Sequence, residues 1–164
     1  MTENQEKKLF LLDAYALIFR AYYAFIKNPR VTSKGMNTSA IFGFLLTLRE
    51  VLQKHKPTHI AVAFDRPEPT FRHEMFPAYK ATRDETPEDI RNSVPYIHKL
   101  LEAYRIPIIS CPGFEADDVI GTLSRKASEK GFLTFMMTPD KDFAQLVTDR
   151  VFMLKPSRSG NESV

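Results

Sequence analysis

Cysteine and tryptophan are the scarcest residues of this 164-residue sequence, which has one cysteine and no tryptophan. Because Cys111 is alone, it can form no internal disulfide and no cysteine-based zinc site, and a reducing, cytoplasmic setting is expected. No run approaches eighteen uncharged apolar residues, so no membrane span is predicted. The opening residues, MTENQEKK, are polar and lack the apolar core and cleavage site of a signal peptide.

The composition is that of one globular domain, which we expect to span residues 1–164. Hydrophobic residues make up 43% of the chain and charged residues 26%, enough to form an apolar core. The net charge of +3 by itself says little about partners. Five short apolar runs, at residues 9–12, 60–64, 106–109, 132–137 and 151–154, are continuous rather than alternating, which is typical of strands buried on both faces.

Helical patterns separate these runs. Apolar residues recur at spacings of three and four over 38–55, 87–104 and 116–130, and a shorter helix is expected near Lys141. Thr86 is predicted to cap the second of these helices, with Pro87 at its first position. Alternating strands and helices predict an α/β fold, a three-layer α/β/α sandwich around a mainly parallel, five-stranded sheet.

Residues 66–86 form a long excursion between a strand and a helix. They carry three prolines and mix charged residues with aromatic ones, which does not indicate a short, tight loop. Excursions of this length inside a compact domain are usually functional.

Acidic residues follow four of the predicted strands. In a parallel sheet the carboxyl ends of the strands share one edge, where open α/β folds bind ligands. Seven carboxylates are therefore expected to converge there: Asp13, Asp65, Glu115, Asp117, Asp118, Asp140 and Asp142.

Such a cluster needs protonation, solvent or a cation, since two carboxylates 4 Å apart repel by about 4 kcal/mol at an effective dielectric constant near 20. Oxygen ligands without histidine or cysteine suit Mg²⁺, Mn²⁺ or Ca²⁺, and their number suits two ions acting on a phosphodiester. Capping of helix starts is an equal alternative for Asp117, Asp118 or Asp140 taken singly. The acids outside this cluster are outnumbered by the 23 basic residues, which fits a polyanionic substrate but also an ordinary lysine-rich surface.

Several strings of the sequence match a known family over nearly the whole chain. They are FLLDAYALIFRAYYA (10–24), SAIFGFLLTL (39–48), IAVAFDRPEPTFRHEMFPAYKATRDETPEDI (60–90), PGFEADDVIGTLSRKA (112–127) and TPDKDFAQLV (138–147). The chain resembles the 5′-nuclease domain at the N-terminus of bacterial DNA polymerase I, a 5′-3′ exonuclease and flap endonuclease group with a PIN-like fold.

The resemblance implies roles residue by residue. The seven acids fall on the metal-binding acids of the family, with Asp13 and Asp117 among the catalytic ones, and the implied cofactor is Mg²⁺ or Mn²⁺, two ions in the complete domain. Lys80 and Arg83 fall on the arch through which a 5′ single strand passes, and would clamp the scissile phosphate. Tyr79 would stack on a base or pack the arch, and Arg20 and Arg72 match further DNA contacts. Phe19, Tyr22 and Phe42 match helical core positions.

The resemblance also implies partners: DNA at a 5′ flap or duplex end, a covalently linked polymerase domain, and no membrane. The family continues with a Ser-Asp-Asn stretch and a helix–turn–helix element, and neither follows here, so we expect a fragment of the domain. The alternatives are an inactive nucleic-acid-binding fragment and a PIN-type ribonuclease. A receiver-type signalling domain also gathers acids at strand ends, but seven are too many for it.

Overall fold

The computed structural model describes residues 5–66, 86–157 and 160–163, with the side chains of 157 and 160–163 left aside. The described chain contains six strands and four α-helices. The strands are β1 (Lys8–Asp13), β2 (His59–Ala63), β3 (Ile108–Ile109), β4 (Leu133–Met137), β5 (Val151–Ser157) and β6 (Gly160–Ser163). The α-helices are α1 (Ala14–Ala24), α2 (Ser39–Glu50), α3 (Glu88–Ala103) and α4 (Ala116–Glu129), with a π-helical turn at Val51–His55 and a 3-10 helix at Lys141–Leu146.

The strands form one sheet in the order β3-β2-β1-β4-β5-β6. The first five are parallel to their neighbours, which confirms the predicted parallel sheet. The sixth strand pairs antiparallel with β5. It was not predicted, because its residues are polar and carry no apolar run.

Helices cover both faces of the sheet, as predicted for a three-layer sandwich. Along β1, Phe10 and Leu12 join a core cluster with α1, α2 and α3, whereas Leu11 points to the opposite face and joins a cluster with α4. This alternation follows from the two-residue period of a strand. Because both faces are buried, the strand reads in the sequence as an unbroken apolar run.

The helix ends differ slightly from the sequence predictions. Helix α3 begins at Glu88, and Pro87 rather than Thr86 is its N-cap residue. The region predicted as one helix over 38–55 is α2 followed by the π-helical turn. Phe19 and Tyr22 pack against the core as partly buried side chains. The core assignment of Phe42 is wrong, because 36% of its surface is exposed.

Strand register brings the carboxyl ends of the central strands level with one another. Asp13, the last residue of β1, pairs with Ala63, the last residue of β2. Leu12 pairs with Met137 at the end of β4, and Val62 and Ala63 pair with the two residues of β3. The residues that follow these four strands therefore start from one edge of the sheet.

Close packing of α1 on α2 gives a test of the fold. A Cβ atom added at Gly43 would lie 2.5 Å from the Cβ of Ala21, so Gly43→Ala must push the two helices apart. We expect it to lower the free energy of unfolding by about 1–3 kcal/mol, the usual cost of overpacking, as measured by urea denaturation.

Gly121→Ala is the matched control, also within a helix. Its added Cβ would meet only the Leu146 side chain, at 3.3 Å, and alanine has the higher helix propensity by up to about 1 kcal/mol. Equal destabilisation by both substitutions would contradict the described α1–α2 contact.

Candidate metal centre

Six of the seven predicted acids line one cavity at the carboxyl edge of the sheet. The cavity has a volume of about 940 Å³. Residues from four strand ends contribute to it: Asp13, Asp65, Glu115, Asp117, Asp140 and Asp142. Asp118 instead lines a neighbouring cavity of about 630 Å³, together with Asp117 and Asp142. The structure thus brings together the side chains that the sequence placed at strand ends.

Asp13 is one of the two buried acids of this set, the other being Glu115. It ends β1, the strand beside both β2 and β4, and 8% of its surface is exposed. The hydroxyl group of Thr138 donates a hydrogen bond to its Oδ2 atom at 3.0 Å. Asp13 is also the N-cap residue of α1, although its side chain makes no capping hydrogen bond, so the carboxylate is directed to the cavity and not to the helix.

Burial raises the pKa of Asp13 from 3.8 to about 7. Loss of solvent is the largest cause, the hydrogen bond from Thr138 opposes it, and the negative charges of Asp65, Asp117 and Asp140 raise the pKa further. A carboxylate in this environment is stabilised either by a proton or by a cation. The site therefore has the electrostatics of a cation site.

Three acids lie together at the start of α4. One carboxylate oxygen from each of Glu115, Asp117 and Asp118 lies within 4.8 Å of the others. The carboxylate of Asp118 also accepts a hydrogen bond from the Glu115 backbone N–H at 3.1 Å, and Asp117 accepts one from the Asp118 N–H at 2.9 Å. These acids therefore fit both interpretations. Their side chains accept hydrogen bonds at the start of the helix, and they also border a cavity that could hold a cation.

Backbone N–H groups orient two acids outside this group of three, Asp65 and Asp140. Asp65 follows β2 by two residues, and its Oδ1 atom accepts a hydrogen bond from the Ala116 N–H at 2.7 Å, which links β2 to the start of α4. Asp140 caps the 3-10 helix by accepting a hydrogen bond from the Asp142 N–H at 2.9 Å. Both Asp140 and Asp142 are exposed to solvent.

The lining of this cavity fits a hard divalent cation. Its potential ligands are all carboxylates, without a histidine or cysteine among the described lining residues, and oxygen donors are what Mg²⁺, Mn²⁺ and Ca²⁺ prefer. Six carboxylates face two guanidinium groups, those of Arg66 and Arg91. The surplus of negative charge and the raised pKa of Asp13 both favour a bound cation.

Sequence reasoning missed several residues of this cavity. Arg91 borders it from the first turn of α3, and Tyr15 from the first turn of α1. Burial and the charge of Asp65 raise the pKa of Tyr15, so its hydroxyl keeps its proton. Both residues lie in the first turn of a helix that starts at the carboxyl edge of the sheet, and this position was the available sequence signal. No sequence pattern pointed to Thr138 as the partner of Asp13.

The structure does not test the predicted DNA-contacting residues. Arg20 lies half-buried on α1 and is not among the residues that line either described cavity. Arg72, Tyr79, Lys80 and Arg83, with most of the 66–86 excursion, lie outside the described residues. Their roles stay predictions.

Comparison with known families agrees with this geometry. The family model described as the 5′-3′ exonuclease, N-terminal resolvase-like domain matches residues 8–164. The chain belongs to this 5′-3′ exonuclease family. The predicted resemblance to the N-terminal domain of 5′-3′ exonucleases is thereby confirmed.

Relatives of known identity match this chain over part of their own length. DNA polymerase I of Synechocystis is 48% identical over 143 residues, which cover 85% of this chain and 14% of that protein. A 5′-3′ exonuclease of Aquifex aeolicus is 39% identical over 150 residues, 92% of this chain and 51% of that protein. The chain thus spans about half of the exonuclease and about one seventh of the polymerase.

A solved structure shares the fold. The crystal structure of the bacteriophage T5 flap endonuclease, as a pseudo-enzyme-product complex with DNA and metal ions, superimposes with a TM-score of 0.67. It is 20% identical and is matched over 91% of this chain and 55% of that chain. Within the described residues, no helix is long and apolar enough to cross a membrane.

The raised pKa of Asp13 predicts how stability depends on pH without divalent cations. Between pH 3.8 and about 7 the folded protein keeps a proton on Asp13 that the unfolded chain has lost. The stability that this proton contributes to the folded state is therefore fully present below pH 3.8. It decreases as the pH rises to about 7 and is lost above that. The loss is on the order of 4 kcal/mol.

Asp13→Asn removes the titrating group and keeps an oxygen that can accept the Thr138 hydrogen bond. We expect the variant to be more stable than the parent at pH 8 in chelator and to lose this advantage towards pH 4, as measured by urea denaturation across pH. Parallel pH profiles for the two proteins would contradict the described environment of Asp13.

Proposed function

We propose that this chain supplies the cation-binding part of a nuclease that hydrolyses DNA phosphodiesters at a 5′ end or 5′ flap with Mg²⁺ or Mn²⁺, two ions being held by the complete domain. Membership of the 5′-3′ exonuclease family supports the reaction class. The T5 structure, which contains DNA and metal ions, supports the kind of substrate and cofactor. The linked polymerase domain and the cytoplasmic location are proposed from the DNA polymerase I relatives.

One observation carries the proposal. Carboxylates at the ends of four different strands line a single cavity, and burial, together with the charges of neighbouring acids, raises the pKa of one of them, Asp13, to about 7. A protein gains no stability from this arrangement, since the like charges repel. A cation that binds several of these oxygens removes the repulsion and provides a reason for the cluster.

The residues proposed to act at the cavity form two groups, the acids and the arginines. The seven acids are proposed to hold the cations, and the bound cations would supply Lewis-acid activation of water and neutralise charge on the phosphate. Arg66 and Arg91 border the same cavity and are placed to hold phosphate oxygens by charge-assisted hydrogen bonds. Asp13 must lose its proton when a cation binds, so cation binding should strengthen as the pH rises towards 7.

Further contacts are proposed from the family resemblance alone. Lys80 and Arg83 would clamp the developing charge of the scissile phosphate. Tyr79 would stack on a base or pack the arch, and Arg20 and Arg72 would contact DNA phosphates.

Substitution of the acids tests the proposal. Asp13→Asn and Asp140→Asn keep oxygens that can accept the hydrogen bonds from Thr138 and from the Asp142 N–H, so both variants should fold. We expect cleavage of a labelled 5′-flap duplex in Mg²⁺ or Mn²⁺ to fall about a thousandfold or more, because charge stabilisation by a cation contributes several kcal/mol.

Asp149→Asn is the matched control, because Asp149 is exposed and lines neither described cavity. Undiminished cleavage by the Asp13 and Asp140 variants would refute the assignment. Parent protein that cleaves nothing would support the inactive-fragment alternative, and faster cleavage of an RNA flap than of a DNA flap would support the ribonuclease.

Arg91 provides a separate test of the phosphate-binding role. Arg91→Ala should weaken binding of the flap duplex about 10- to 150-fold in Ca²⁺, since hydrogen bonds to charged groups contribute about 1.5–3 kcal/mol. The slope of log affinity against log salt concentration should fall by about 1. Lys99→Ala is the control: Lys99 is also exposed on α3 but does not line the cavity. Equal losses in both variants would indicate a nonspecific effect of charge.

A further inference from the structure

Thr138 connects two of the acids described above. It directly follows β4 and is completely buried, and its own N–H continues the sheet by donating to the carbonyl of Leu154 at 3.1 Å. The hydroxyl donates to Oδ2 of Asp13 at 3.0 Å, across a separation of 125 residues. The same hydroxyl oxygen accepts a hydrogen bond from the Asp140 N–H at 3.1 Å.

When the Asp13 carboxylate is ionised, the direction of this chain of hydrogen bonds is fixed. A backbone N–H can only donate, so the Thr138 oxygen is the acceptor for Asp140 and its single proton is directed to Asp13. The proton therefore holds the Oδ2 atom of Asp13 at the β4 side. Rotation of the carboxyl group about its last bond would break this hydrogen bond, and so Oδ1 has one preferred direction.

We propose that Thr138 is a positioning residue of the cation site, which sets the distance and the relative orientation of the Asp13 carboxylate and the Asp140 backbone. It would act through these two acids and not as a ligand itself. The inference rests on the proposed function, because it concerns the same acids. Groups that hydrogen-bond to metal ligands orient them, and their loss commonly weakens metal binding 10–100-fold.

Thr134, on β4, offers a matched control four residues before Thr138. It is also completely buried, but its hydroxyl has no hydrogen-bond partner in the part of the chain that the structure describes. Thr134→Val and Thr138→Val therefore make the same chemical change in similar surroundings. Only the second substitution removes hydrogen bonds to the acidic cluster.

The test measures Mn²⁺ binding to the purified chain by isothermal titration calorimetry, without DNA, at pH 7.5. We expect Thr138→Val to weaken the Mn²⁺ affinity 10–100-fold, while Thr138→Ser, which keeps the hydroxyl, and Thr134→Val stay within about threefold of the parent. In the flap-cleavage assay, saturating Mn²⁺ should restore the rate of Thr138→Val. A purely structural defect would not respond to the cation concentration.

Circular dichroism establishes whether Thr138→Val folds. If it does not, Thr138→Ala and Thr138→Ser form the decisive pair, because they differ only in the hydroxyl. Unchanged Mn²⁺ affinity without the hydroxyl overturns the inference. So does equal weakening by Thr138→Ser or by Thr134→Val, since packing would then be the cause. A parent protein that binds no Mn²⁺ overturns the proposed cation site itself, a result distinguishable from the others.

Discussion

Electrostatic repulsion among carboxylates at one edge of a parallel sheet is the constraint on which this structure depends. Parallel pairing brings the ends of β1, β2, β3 and β4 to the same side, and an acid follows each of them. The fold offsets part of the repulsion locally. Backbone N–H groups donate to Asp65, Asp117, Asp118 and Asp140, and a side-chain hydroxyl donates to Asp13. Each of these hydrogen bonds fixes the direction of a carboxylate and leaves the negative charge in place.

Much of the fold could be predicted because the central strands are buried on both faces. Leu11 and Leu12 pack on opposite sides of the sheet, so the strand carries apolar residues at successive positions. The parts that could not be predicted lack this pattern. Strand β6 is built from polar residues and is defined by its hydrogen bonds to β5. Phe42 has the spacing of a core residue, but it lies against Phe25 and the guanidinium group of Arg30 at the protein surface.

The acids of the site were predictable, and the groups that orient them were not. An acid directly after an apolar run is predicted to lie at the carboxyl edge of the sheet, because all parallel strands end at that edge. The bond between Thr138 and Asp13 joins residues far apart in the chain, and no spacing rule connects them. For Arg91 the position in the first turn of α3 was a signal, but its place beside the cavity depends on how α3 packs. The high pKa of Asp13 depends on the depth of its side chain, which a sequence pattern does not give.

The junction between β1 and α1 has a consequence for how this region can vary. Asp13 is at once the last residue of the strand and the N-cap residue of the helix, so no loop separates the two elements. A single inserted or deleted residue could not be absorbed by slack in the chain. It would turn the acid away from its neighbours or shift the register of the central strand. Length changes are therefore far less tolerable at this junction than in the mostly exposed connection of residues 25–38 between α1 and α2.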